Sequence, residues 1–256
     1  MIRTRSVFII ITFLFLCAAA SAQDRPIGYW RAHMPYTHLK GLATDGVTLY
    51  VATVESFFTY NAAQNEITAY SKVDGMADVE MSAIAYDPST DITILAYKNT
   101  DIDLFIDGIF YNIPDIKLKT LSDAKKIYSI YTENGKAYVC TSFGIVVLDL
   151  VNRETEDTYA FTMEGQTVGV KSFTTDANYR YAATTRGLYR TAVTNPNPQA
   201  FSTWERIDSH ADTFDLLHHN NVIYFARKDS VFQWSNNTAS FFFCNRYGIT
   251  SLNPTT

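Results

Sequence analysis

The residues best equipped for chemistry crowd the last third of the chain. His210, Asp212 and Asp215 have the donor types of a metal corner, and His218 and His219 add two imidazoles. On a strand, adjacent side chains point to opposite faces, so His218 and His219 cannot hold one ion together. The cluster lacks the number and spacing of ligands that mark a zinc or calcium site. Glycoside cleavage requires two carboxylates about 5 to 9.5 Å apart. Asp101, Asp103, Asp212 and Asp215 are the candidates, and no local motif singles any of them out. Glycine-rich phosphate loops are missing, and Asn236-Asn237-Thr238 reads as a polar turn. The sequence therefore assigns no catalytic, cofactor-binding or metal-binding residue. The remaining chemistry is anion recognition by Lys98, Arg186, Arg227 and Lys228, and it depends on whether the fold gathers them on one surface.

The elements that position them are repeats. Tyr50, Ile94, Tyr138, Tyr181 and Tyr224 fall at intervals of 44, 44, 43 and 43 residues, and two positions after each stands a small residue: Ala52, Ala96, Cys140, Ala183 and Ala226. Four of the five segments carry Gly or Ser six positions after the anchor. A repeat of this length implies stacked units. Turn signals arrive about every ten residues, too often for helices of ordinary length. Segments such as Val222-Ile223-Tyr224-Phe225 are β-branched and aromatic, which favours strands. In the third repeat, Asn134-Gly135 between two apolar runs signals a tight hairpin, because both residues tolerate positive φ. The predicted fold is all-β: a β-propeller with four-stranded blades of about 44 residues. The small residue shares the anchor's face and lets neighbouring blades approach closely.

The ends complete this reading. Met1–Ala22 has basic Arg3 and Arg5, an apolar run from Val7 to Ala20 and an Ala-Ser-Ala site, the pattern of a secretory signal peptide. Residues 23–256 form the expected propeller domain. Trp30 precedes Tyr50 by 20 residues, as Trp204 precedes Tyr224, so Trp30-Arg31-Ala32 is expected as the outermost strand of a closing blade. Gly248-Ile249-Thr250-Ser251 echoes Gly75-Met76-Ala77-Asp78, which precedes the second blade, and is expected to open a sixth. Five repeats, one closing strand and one blade opening describe an incomplete ring. No other stretch approaches the roughly 20 apolar residues of a spanning helix. Loss of Arg3 and Arg5 takes the formal charge from −5 to −7, which disfavours nucleic acid as a partner. Cys140 and Cys244 are placed too far apart by the repeat to form a disulfide, and both are expected to be buried thiols.

On the propeller, turns between second and third strands emerge on one rim and carry Lys98, Arg186, Arg227 and Lys228. Turns on the opposite rim carry Asp45, Asp87, Asp91, Glu133, Asp176, Glu66, Asp107 and Glu154. Two accounts fit. Either a basic rim faces phosphate or carboxylate groups of a bacterial glycan, or the acids are simply good turn formers and the cations keep a surface soluble. The second weighs more, because Glu55 and Asp229 sit on the basic rim.

The opening Trp30-Arg31-Ala32-His33, the Gly-Met-Ala-Asp step followed by Val79 to Tyr86 and Ile92 to Tyr97, Asp101-Ile102-Asp103, and Phe143-Gly144-Ile145-Val146-Val147-Leu148-Asp149 resemble the N-terminal propeller of the PorZ family. More loosely they are similar to propeller repeats of periplasmic two-component sensors. The resemblance implies a non-enzymatic component of the type IX secretion system of Bacteroidetes, exported to the periplasm or outer-membrane cell surface and needing no cofactor. Its implied partners are other secretion-system surface proteins and anionic lipopolysaccharide. Family members also carry a second propeller and a C-terminal sorting-type domain, neither of which is expected within residues 23–256. The alternatives are a ligand-sensing ectodomain of a two-component regulator and a carbohydrate-active propeller enzyme.

Overall fold

The structure, a computed structural model, describes residues 35–252 except 122, 123, 212, 236, 246 and 247, all within the unit that begins at Met34. The signal peptide, the Trp30 strand, Asp212 and the Asn236 turn lie outside the described residues.

Five four-stranded antiparallel sheets follow one another in the sequence, each with its strands hydrogen-bonded in sequence order. Blade 1 comprises β1 (Leu39–Thr44), β2 (Thr48–Thr53), β3 (Phe57–Asn61) and β4 (Glu66–Tyr70). Blade 2 comprises β5 (Met81–Asp87), β6 (Ile92–Tyr97), β7 (Ile102–Ile106) and β8 (Ile109–Ile113). In blade 3 stand β9 (Ile127–Glu133), β10 (Lys136–Thr141), β11 (Gly144–Asp149) and β12 (Glu154–Ala160). After a small hairpin of β13 (Thr162–Met163) and β14 (Gln166–Thr167), blade 4 holds β15 (Val170–Thr175), β16 (Tyr179–Thr184), β17 (Gly187–Ala192) and β18 (Glu205–Asp208). Blade 5 ends the series with β19 (Thr213–His219), β20 (Val222–Arg227), β21 (Ser230–Ser235) and β22 (Thr238–Cys244). This is a β-propeller arrangement, and first strands of successive blades touch, β1 to β5, β5 to β9, β9 to β15 and β15 to β19.

All five anchors stand third in the second strand of their blade. The five small residues that follow them are wholly buried. Ala52 packs with Met81, Leu95 and Tyr97 of blade 2, and Cys140 packs with Val170, Phe173 and Ala182 of blade 4. Tyr50 stacks on Tyr86 at 5.8 Å and Tyr138 on Phe173 at 4.7 Å, so anchors and small residues together form the blade seams. Each such ring contributes about 2 to 3 kcal/mol by burial, and the small residue beside it prevents overpacking.

Turn chemistry matches the residues that supply it. Asn134 and Gly135 take φ of 52 and 76, and Asn220 and Asn221 take 50 and 60, the all-positive pair of a tight hairpin turn. Gly144 and Gly187, at the sixth position after their anchors, have φ of 132 and 122. A Cβ at either would stand 2.0 or 2.3 Å from a carbonyl oxygen of the fourth strand, so only glycine fits.

One expectation fails. Cys140 is buried, but Cys244 is exposed at the end of the outermost strand of blade 5, where no further strand covers it among the described residues. Both thiols are free, as the spacing of the repeats implies. Gly248 repeats the positive φ of Gly75, at 82 against 109. Leu252 that follows it is held to blade 5, its N–H donating to Asp215 Oδ2 at 2.7 Å.

Candidate functional site

Within each antiparallel sheet the chain direction alternates, so the second-to-third turns share one rim with the connections between blades. Lys98, at the end of β6, is exposed; its Nζ lies 3.2 Å from Glu80 Oε2 and its N–H donates to the Glu80 carbonyl. Arg186 is exposed in the turn after β16, where its N–H donates to Thr184 Oγ1 at 3.0 Å. Lys228 is exposed with a φ of 52. Arg227 is different. Its guanidinium pairs with Asp208 of blade 4 at 2.9 Å and lies over the Phe232 ring at 4.8 Å, so it closes the seam between blades 4 and 5. The four predicted residues therefore share a rim but spread over blades 2, 4 and 5, and one of them works inside the wall.

Further cations on this rim escaped the sequence reading. Lys117, Lys119, Lys125 and Lys126 lie in the connection from blade 2 to blade 3, around a one-turn helix α1 (Asp115–Leu118). Lys125 Nζ caps that turn, donating to the carbonyls of Ile116 at 3.0 Å, Lys119 at 2.8 Å and Lys117. The signal was available as a run of four lysines in ten residues. Beside α1 lies a cavity of about 400 Å³, lined by Ile116, Leu118, Lys119, Val146, Thr155 and Thr158 with Asp115.

Several acids of the opposite rim are engaged in hydrogen bonds within or beside their turns. Asp45 Oδ1 accepts the N–H groups of Val47 and Thr48 at 2.7 and 2.6 Å. Asp87 accepts the Thr90 N–H and the hydroxyls of Ser89 and Thr90, Asp91 accepts the Tyr86 hydroxyl, and Glu133 accepts the Thr175 hydroxyl. This favours turn formation as the reason for their positions.

Of the carboxylates considered for catalysis, Asp101, Asp103 and Asp215 are likewise engaged. Asp101 and Asp103 are buried, and both accept from Asn112 Nδ2 at 2.9 Å. Lys117 Nζ pairs with Asp101 at 2.7 Å, while Tyr97 and the Ala77 N–H donate to Asp103 at 2.6 and 2.8 Å. The group fastens the connection from blade 1 and α1 to blade 2. Asp215 accepts from Ser172 Oγ across the seam of blades 4 and 5 at 2.8 Å. His210 is held by Asp208, and His219 by Asn220. Among the described residues no group of three or more His, Cys, Asp or Glu stands together as a metal site.

The family model described as "TSS9, PorZ, N-terminal beta-propeller domain" matches residues 49–205. The chain belongs to this family. PorZ of Porphyromonas gingivalis, described as an essential bacterial surface component of the type IX secretion system, matches with a TM-score of 0.69 at 18% identity, over 80% of this chain and 28% of PorZ. The extracellular domain of the hybrid two-component system BT3049 of Bacteroides thetaiotaomicron matches with a TM-score of 0.62 at 16% identity, over 89% of this chain and 31% of that one. That of BT4673 from the same organism matches with a TM-score of 0.53 at 13% identity, over 90% and 37%. At these identities the likenesses carry the fold, and the chain spans about a third of the length of these relatives. No curated protein matches the chain. No helix of the described residues is long and apolar enough to cross a membrane.

Proposed function

We propose that the chain is an exported, non-enzymatic recognition propeller of the type IX secretion apparatus. Residues 1–22 serve as its export signal, and residues 23–256 form its propeller domain at the periplasmic or outer-membrane surface. It assembles with other surface proteins of the apparatus and presents its basic rim to anionic lipopolysaccharide. The observation that carries this reading is the asymmetry of the rims: Lys98, Arg186 and Lys228 stand exposed in equivalent turns, whereas Asp45, Asp87 and Asp91 opposite are tied into turn hydrogen bonds. Exposed ammonium and guanidinium groups on one rim of an acidic protein orient it toward phosphate and carboxylate. Arg227 supports this surface from below, through its pair with Asp208. Replacing Lys98, Arg186 and Lys228 together by Gln in the intact protein should weaken binding to anionic lipopolysaccharide in low-salt titrations. Unchanged affinity there would overturn the rim assignment.

Sensing of a small ligand is a second reading, favoured by the likeness to the two Bacteroides ectodomains and by the cavity beside α1. A cavity of this size suits a small molecule. Under this reading a panel of acidic glycan fragments should raise the melting temperature, and Val146→Trp, which fills the cavity, should abolish the rise.

A further inference from the structure

In blades 2 to 5 the residue after each anchor pairs with a third-strand residue that faces the preceding blade. In blade 4 this is Tyr189, opposite Ala182; it packs with Tyr138 and Tyr159 of blade 3 and lies 4.9 Å from the Phe201 ring. In blade 5 it is Phe232, opposite Phe225, packed against the cluster of Tyr181 and Leu188 in blade 4. Blade 2 has Asp103, opposite Leu95, whose carboxylate accepts the Ala77 N–H of the connection from blade 1. In blade 3 the residue is Val146, opposite Val139, and its neighbour on the fourth strand is Thr158, also small. The seam of blades 2 and 3 therefore has small side chains where the next two seams have rings. The cavity of about 400 Å³ lies here, with Val146 and Thr158 in its wall. Interiors close-pack when side chains suffice, so the smaller residues account for the gap.

The wall is mainly apolar, formed by Ile116 and Leu118 of α1 opposite Val146. Two polar groups border it without partners. Lys119 Nζ lies 5.4 Å from the centre of the Phe143 ring, and no carboxylate pairs with it among the described residues. Thr155 also lines the cavity, and its Oγ1 is buried with no hydrogen-bond partner. Rotation of this side chain between its staggered positions turns the hydroxyl to the cavity. Buried hydroxyls are nearly always paired, so an unpaired one beside a cavity needs an explanation. Phe143 precedes β11 and Thr155 pairs with Leu148 near its far end, so cation and hydroxyl stand toward opposite ends of the gap. Asp115 is the one acid among the lining residues. Lys125, whose Nζ donates to the Lys119 carbonyl at 2.8 Å, joins Lys119 against it and leaves an excess of one positive charge.

We propose that this cavity binds a small hydroxylated aromatic monocarboxylate. Its ring takes the place that Tyr189 and Phe232 fill in the later seams, its carboxylate meets Lys119, and its hydroxyl meets Thr155. This assignment rests on the small-ligand reading of the cavity and narrows it to one chemical class. A single carboxylate matches the single excess charge, and an apolar ring body matches the wall.

Titration calorimetry of the purified chain with 4-hydroxyphenylacetate, phenylacetate and 4-hydroxyphenylethanol separates the contacts. The first should bind tightest, with affinity about tenfold lower without the carboxylate and about threefold lower without the hydroxyl. Lys119→Met should erase the advantage over 4-hydroxyphenylethanol, and Thr155→Val the advantage over phenylacetate, each leaving the other comparison unchanged. Val146→Phe, which supplies the ring found in later seams, should abolish binding without lowering the melting temperature. Should that variant fail to fold, the Lys119 and Thr155 variants decide by their opposite selectivities. No binding of 4-hydroxyphenylacetate, equal affinity for the three probes, or undiminished binding to a folded Val146→Phe chain would overturn the proposal. If acidic glycan fragments still raise the melting temperature of the parent chain, the small-ligand reading stands and only the aromatic class falls. If neither kind of probe acts, both fall.

Discussion

Tyr181 donates its hydroxyl to Asp176 Oδ2 at 2.8 Å, and Asp176 Oδ1 accepts the N–H groups of Asn178 and Tyr179 at 2.7 Å each. Tyr50 repeats the bond to Asp45, also five residues upstream, at 3.1 Å. A seam tyrosine therefore holds the rim turn of its own hairpin. Burial and the neighbouring carboxylate push the Tyr181 hydroxyl well above its ordinary range, so it remains the donor.

Removing the two ends of this bond should have unequal effects. Tyr181→Phe loses one hydrogen bond, a cost of about 1 kcal/mol, whereas Asp176→Ala also strips two backbone N–H groups of their acceptor and should cost about 2 to 3 kcal/mol. Urea denaturation of both variants checks the order. Equal losses would mean that the turn does not depend on its aspartate.

Stability should decline in acid. Asp78 is held below the usual carboxylate range chiefly by Lys72 at 2.7 Å. Burial pushes Asp45 and Asp208 up, but N–H donors and Tyr50 outweigh it for Asp45, as His210 and Arg227 do for Asp208, and both end up lowered. A folded value below the unfolded one gives stability that is complete above about pH 4 and is lost as pH falls through the folded values. Asp215 has the opposite sign, because burial raises it despite the Leu252 N–H and the Ser172 hydroxyl, so its ionisation costs stability as pH rises. Melting temperatures taken from pH 7 to pH 2 should fall steadily below about pH 4. An Asp45→Asn, Asp78→Asn double variant should start lower at pH 7 and show a flatter acid limb.

Thr100 occupies the repeat position that holds Gly144 and Gly187. It has a φ of 67, its side chain is buried, and its Oγ1 has no partner. A β-branched residue in the left-handed region costs about 1 to 3 kcal/mol, so Thr100→Gly should stabilise the chain. Gly144→Ala should destabilise it severely, since the added Cβ meets the Tyr159 carbonyl at 2.0 Å. Thermal unfolding of both variants reads the two opposite signs.

In the chain from Gln23 onward, which lacks Cys17, the two cysteines should differ sharply toward a thiol reagent. Burial pushes the Cys140 thiol up to about 12, whereas Cys244 lies exposed at the end of β22. One equivalent should react at once at pH 8 and the second only on unfolding. Cys140→Ser should remove the slow equivalent. Two fast equivalents would place Cys140 outside the seam.

Much of the fold was legible because the repeat imposes one constraint at many points. The five anchors, the small residues after them, the Asn134-Gly135 turn and the bounds of β10 follow from strand period and positive-φ chemistry, which are local. The site was less legible. Arg227 and Lys228 are neighbours in sequence with the same charge, yet one is drawn into a seam by Asp208 and the other is exposed. Asp208 is 19 residues away in another blade, and no local pattern announces the pair. Cys244 was misplaced for a related reason, since burial at the end of a fourth strand depends on whether anything lies beyond it.

The sequence by itself determined the blade, because hydrophobic period, turn residues and a 43- to 44-residue repeat are properties of neighbouring residues. Only the tertiary structure decided which of equivalent positions are covered. Leu39 and Met81 hold the same place in their strands, and one is exposed while the other is buried. The physical reason is that burial is conferred by the blade packed alongside, and a residue's own segment does not carry that information.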